Sequence, residues 1–216
     1  MRLNDDLDRR TAVHAAGLPW TPSPAKGVER RMIFRIGDEV ARATSIVRFA
    51  PDSQLPRHIH GGGEEILVLD GVFSDETGDY PAGAYLRNPP GTAHAPASRD
   101  GCTLFVRLWQ FRGDDQISVA RAPAPAGAAS TVLFEDAFER VAVNAWPPGA
   151  EIVLDNPQGL ELLTLAGSFE EGGETFEPLS WLRLPPARPF RARAGGKGVS
   201  LWSKTGPLLL PGACAL

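Results

Sequence analysis

A shift of 96 positions superimposes the two halves of this 216-residue chain. Pro51 falls on Pro147, Glu65 on Glu161, Leu67 on Leu163, Leu69 on Leu165 and Gly71 on Gly167. Further on, Phe73 falls on Phe169, Leu86 on Leu182, Arg87 on Arg183, and Pro89 and Pro90 on Pro185 and Pro186. No gap interrupts the match. Self-similarity at a fixed offset is the mark of an internal duplication. It constrains the chain to two similar units, each with a core of its own.

Within each copy the chain reads as short apolar runs broken by Gly, Pro or Asp, as at 43–49, 65–69, 84–87 and 103–111. Such runs predict strands, and the 23 glycines and 20 prolines supply the tight turns between them. No long helical period competes, so the expected class is all-β, a sandwich or barrel. A short helix is expected over 4–16, with Asn4 as N-cap, Asp5 and Asp6 in its first turn, and Gly17-Leu18-Pro19-Trp20 ending it. The boundaries read as a 1–27 extension, a first unit at 28–112, a linker at 113–129 around an Ala-Pro-rich connector, a second unit at 130–206 and a 207–216 tail.

Three of the four histidines fall in one pattern: His58-Ile59-His60, then Glu64 after three glycines, then His94. Residues one apart on a strand face the same side, so both imidazoles of the His-x-His project together. The Gly61-Gly62-Gly63 turn can fold Glu64 back toward them, and the turn at 88–93 can bring His94 in from a later strand. Three imidazoles and a carboxylate suit one divalent transition metal: zinc, iron, manganese, nickel or copper. At the shifted positions the second half has Leu154, Asn156, Leu160 and Phe190. All four ligands are replaced, so no metal is expected there.

His58, His60, Glu64 and Gly71, followed by Gly83, Pro89, Gly91 and His94, match in spacing the two motifs of the cupin family. The match spans residues 52–98. Asp52 stands where the first motif starts with Gly, and Ser98 where the second ends with Asn. The three-residue gap before Glu64 and the Gly-Gly-Gly-Glu-Glu run most resemble the ChrR-like branch. The resemblance implies two tandem cupin barrels (double-stranded β-helix, or jelly-roll, folds), the second degenerate. It also implies a function either as a small-molecule dioxygenase, cleaving a diketone or aryl ketone, or as a zinc-binding sensor. ChrR-type anti-sigma factors carry a zinc-binding helical domain ahead of the cupin. No His-x3-Cys-x2-Cys precedes the barrel here, so direct sigma-factor binding is not expected.

Glu64 doubles as a candidate acid or base. Arg48, Tyr85, Arg107 and Trp109 are candidates for substrate contact by residue type. His14 reads as an ordinary surface or packing histidine, Cys102 as a small buried side chain, Cys214 as part of a loose tail, and most tryptophans as core. Net charge −4 gives no reason to expect nucleic acid. Two cysteines form no disulfide framework, and no segment reads as a leader or membrane span, so a cytoplasmic protein with a small-molecule partner, and a homodimer, are the expectations.

Overall fold

The computed structural model describes residues 1–123 and 127–216; the middle of the expected connector, 124–126, lies outside them. Among the described residues the backbone is strand and turn, with one 3-10 turn at Ala15–Gly17, and no helix is long and apolar enough to cross a membrane. The chain divides into two compact units. One takes 1–5, 19–123 and 209–216, and the other takes 6–18 and 124–208.

In the first unit the main sheet runs Arg2–Leu3, Val28–Gly37, Ala41–Phe49, Cys102–Leu108, Glu64–Asp75, Tyr85–Asn88, Val119–Arg121, all antiparallel. The strand Glu64–Asp75 serves two layers. Its first half pairs with Tyr85–Asn88 and Cys102–Leu108, its second with Gly78–Pro81 and Ala97–Ser98. The bend falls at Gly71, whose φ of 72° lies beside a bulge between Thr103 and Leu104. A Cβ there would overlap the Gly101 carbonyl, so the position needs glycine. Inside sit Val28, Phe49, Ile66, Val68, Phe73, Leu86, Leu104 and Val106.

The second unit orders its sheet Ser130–Glu135, Arg140–Trp146, Phe190–Thr205, Leu160–Glu171, Ser180–Leu184, Thr11–His14. Leu160–Glu171 is Glu64–Asp75 moved by 96 residues, end for end. Its bend is at Gly167, φ 69°, again beside a bulge.

The segments outside the expected barrels are built into them. Where a helix was expected, Thr11–His14 is a strand along the edge of Ser180–Leu184. Asn4 adopts φ 51° and spends its side chain on the Ile33 carbonyl, while Asp6 accepts from the Asp8 amide in a turn. An available sheet edge outweighs a weak helical preference. Val119–Arg121, within the expected linker, covers the matching edge at Tyr85–Asn88. Each cover is held by a buried arginine. Arg87 forks onto Asp115 at 2.9 and 2.6 Å and reaches the Ile117 carbonyl, and Arg183 donates to the Asp6 carbonyl and Thr11 Oγ1. The C-terminal tail is ordered too: the Cys214 amide donates to the Phe111 carbonyl, and Ala213 bridges Arg112. Of the tryptophans, Trp181 and Trp202 are buried core, whereas Trp20 is half-buried under the guanidinium groups of Arg31 and Arg48.

Candidate metal centre

His58 lies opposite His94 where the short strands His58–Ile59 and Ala93–His94 pair. His60 follows, its amide bonded to the Thr92 carbonyl and its carbonyl to the Gly91 amide. These backbone bonds place three imidazoles around one point, with ring centroids 5.3, 5.1 and 4.6 Å apart. Glu64 opens its strand at the same place. Its Oε2 lies 3.2 Å from both His60 Nε2 and His94 Nε2.

The three glycines do more than turn. The indole of Trp109 lies against Gly61 and Gly62, and Phe111 against Gly63; a Cβ at any of them would overlap these rings. Trp109 itself has φ 58°, which its amide bond to the Gly63 carbonyl and its carbonyl bond from Arg42 hold in place. An uncommon backbone conformation is thus stabilised by its surroundings beside the centre.

The far nitrogen of every ring is anchored. His58 Nδ1 donates to the Pro56 carbonyl at 3.1 Å and His94 Nδ1 to Asp75 Oδ2 at 3.2 Å. His60 Nδ1 is 2.9 Å from Thr92 Oγ1, whose own proton goes to the Pro89 carbonyl, so the hydroxyl accepts. Each neutral ring therefore carries its proton on Nδ1 and turns a bare Nε2 inward. Among the described residues the buried Nε2 atoms of His60 and His94 make no hydrogen bond, and what faces them is the Glu64 carboxylate, itself an acceptor. Orphaned buried nitrogens are costly and rare. Glu64 carboxylate beside them, with Asn88 Nδ2 at 3.4 Å, completes a donor set whose ligand atoms all lie within 4.8 Å of one another. The set fits a divalent metal ion. Burial pushes the Glu64 carboxyl up, but the two imidazoles, when they carry a proton on Nε2, donate to it, outweigh burial and hold it well below the usual carboxylate range. Burial lowers His94, while Glu64 and Asp75 more than compensate and raise it.

The centre opens into a cavity of about 290 Å³ walled by Val28, Val47, Phe49, Ile66, Leu104 and Val106. Of the four residues expected at substrate, only Trp109 lines it. Arg48 is exposed and paired with Glu29 at 2.6 Å, because its neighbours Val47 and Phe49 take the inward face. Tyr85 and Arg107 are likewise on the outer face, both buried and both bonded to Glu65, at 2.9 and 2.6 Å. Burial, then the Glu65 charge, pushes the Tyr85 phenol well above its ordinary value, so it donates. Alternation along the strands carried this information: with Leu104, Val106 and Leu108 inside, Arg107 is outside. The residues missed are Arg30 and Arg35, which line the cavity. His14 belongs to the second unit, bonded to Ser180 and Glu174.

The model of the ChrR cupin-like domain matches residues 8–112. Those residues, just under half of the chain, resemble a ChrR cupin-like domain, and the fold is that of cupins. Among solved structures this chain resembles a protein from Nostoc punctiforme provisionally described as a dioxygenase, with TM-score 0.72, 12% identity, and 97% of this chain and 88% of that one covered. The bacterial pirin YhhW from Escherichia coli, solved with nickel(II), gives TM-score 0.73 at 13% identity over 93% of this chain and 100% of that one. A cupin 2 conserved barrel domain protein from Leptotrichia buccalis gives 0.58 at 12% identity, covering 91% and 96%. At these identities the likeness concerns the fold alone. No curated protein sequence matches the chain at a significant level. The two positions that depart from the motifs are accommodated locally. Asp52 adopts φ 58°, a left-handed conformation that Asp tolerates better than most residues, and Ser98 is buried and donates to the Val72 carbonyl at 2.6 Å.

Proposed function

We propose that the first unit is a metal-dependent enzyme of dioxygenase type that cleaves a small diketone or aryl ketone-like substrate. One divalent transition metal, iron or zinc first and manganese or nickel next, would be held by Nε2 of His58, His60 and His94 and the carboxylate of Glu64. The observation that carries the reading is the pair of buried, unpartnered Nε2 atoms aimed with a carboxylate at one point. A metal there supplies Lewis-acid and redox chemistry. The chain's own residues do the rest. The apolar walls exclude water and hold the body of the substrate, and Trp109 closes one side. Glu64, with Asn88 as a neighbouring donor, can take a proton when its carboxylate swings from the centre. The dioxygenase-like and nickel-bound fold relatives support this reading.

The test is elemental analysis of the purified protein beside the His58→Ala/His60→Ala variant, followed by oxygen uptake with diketones and aryl ketones. About one iron, manganese or nickel per chain, lost in the variant, with substrate-dependent uptake is expected. The ChrR cupin-like match favours a second reading, a zinc-binding sensor. About one zinc per chain with no uptake would select it.

A further inference from the structure

Arg30 and Arg35 sit on one strand, Val28–Gly37, five residues apart. In a regular strand that spacing sends side chains to opposite faces. Here the register slips between Met32 and Phe34. The bulge reverses the alternation, so both arginines line the cavity together with His58, His60 and Glu64.

The two guanidinium groups are poorly served by the protein. Arg35 is 6% exposed, and its one side-chain hydrogen bond goes to the Asp38 carbonyl. Among the described residues no carboxylate lies within ion-pair distance of Arg30 or Arg35, and the buried Nε of Arg30 has no partner. Arg30 is half-buried; besides Arg35, the buried arginines of this unit each have an acid, Asp115 for Arg87 and Glu65 for Arg107. Arginine cannot shed its charge by losing a proton under ordinary conditions, so a buried guanidinium without an anion is a standing cost. Burial and then the positive charge of Arg30 pull Arg35 down, and the charges of Glu39 and Asp38, both exposed and neither in ion-pair contact, do not make up for it. Two like charges facing one apolar cavity describe a site whose counter-ion arrives with the ligand.

We infer that the cavity takes a small organic acid, its carboxylate held by Arg30 and Arg35 and its apolar body against Val47, Phe49, Leu104 and Val106. The planar fork of arginine matches a carboxylate with two parallel hydrogen bonds. The modest volume of about 290 Å³ excludes a large ligand, and the apolar walls favour one with an apolar body. This inference rests on the reading of the cavity as the substrate site and narrows it: the ketone-bearing substrate is also an acid.

The experiment is calorimetric titration of the full-length protein with phenylacetate and its neutral isostere phenylacetamide, in metal-free and metal-loaded forms. Charged hydrogen bonds in a dry site predict at least ~10-fold tighter binding of the acid, with or without metal. Arg35→Met and Arg30→Met should each erase most of that preference while keeping the wild-type metal content, and Arg48→Met should keep the preference. Arg35→Lys, which retains charge without the fork, should fall between. Equal binding of acid and amide, or preference surviving in both Met variants, overturns the inference. So does acid binding that requires metal, since the anion would then sit on the ion. A metal-free purified protein that still prefers the acid would refute the metal reading and leave the arginine site standing.

Discussion

In the first unit His58 pairs across from His94; at the same place in the second, Leu154 pairs across from Phe190. The surrounding geometry is shared. The Gly91 amide bonds the His60 carbonyl at 2.8 Å, and the Ala187 amide bonds the Asn156 carbonyl at 2.8 Å, 96 residues later in each case. Phe73 and His94 have ring centroids 5.9 Å apart; Phe169 and Phe190 stand 5.8 Å apart. What differs is the filling. Leu160 and Phe190 are fully buried in a core with Phe169, Phe176 and Leu182, and Asn156 turns its amide onto the Pro185 and Arg188 carbonyls. The first unit leaves a cavity there and points bare nitrogens into it. The same scaffold is therefore stable with its open end either packed or polar. A polar end with orphaned nitrogens is retained at a cost in folding free energy, which is what a binding site does.

The comparison can be broken most severely at Phe190. Removing its ring should open a cavity in the second unit and cost about 3–5 kcal/mol, read by urea unfolding of Phe190→Ala. His94→Ala in the metal-free protein should cost less, because the imidazole belongs to a centre that already opens onto a cavity, although its loss deprives Asp75 of a hydrogen bond. Equal losses would erase the distinction between a packed end and an open one.

The edge covers offer the next test. Asp115 is buried, which raises its carboxyl, but the Arg87 fork outweighs burial and holds it below the ordinary 3.8. A depressed folded value means that the pair contributes stability above pH 3.8 and loses it as the pH falls through the lower folded value. Asp115→Asn should cost about 3–5 kcal/mol at neutral pH and show a shallower loss on acidification. An unchanged acid limb would show that the pair does not set it.

His60→Ala or His94→Ala should weaken metal binding by at least ~100-fold, since losing a ligand exceeds losing a residue that orients one. Asn156→Ala, at the place of His60 in the second unit, should leave metal content unchanged. Asp75→Asn should lower affinity roughly 10–100-fold through the orientation of His94. Competition against a chromophoric chelator measures these effects. Full retention in both histidine variants would sink the ligand assignment.

The sequence by itself determined the all-β class, the 96-residue correspondence and the four convergent donors, because each is a matter of spacing along a strand or between turns. Alternation even held the outward direction of Arg107, though residue type suggested otherwise. Tertiary structure decided the rest. Nothing local in Thr11–His14 or Val119–Arg121 says strand; they extend because the edges of Ser180–Leu184 and Tyr85–Asn88 offer unpaired backbone groups. Asp75 anchors His94 although Glu64 lies at the other end of the same strand, because the bend at Gly71 brings both ends to one imidazole. Arg30 and Arg35 share a cavity only through a bulge, a slip of register between two strands that neither strand encodes alone. Spacing fixes which side chains share a face; pairing with a distant partner decides what that face meets.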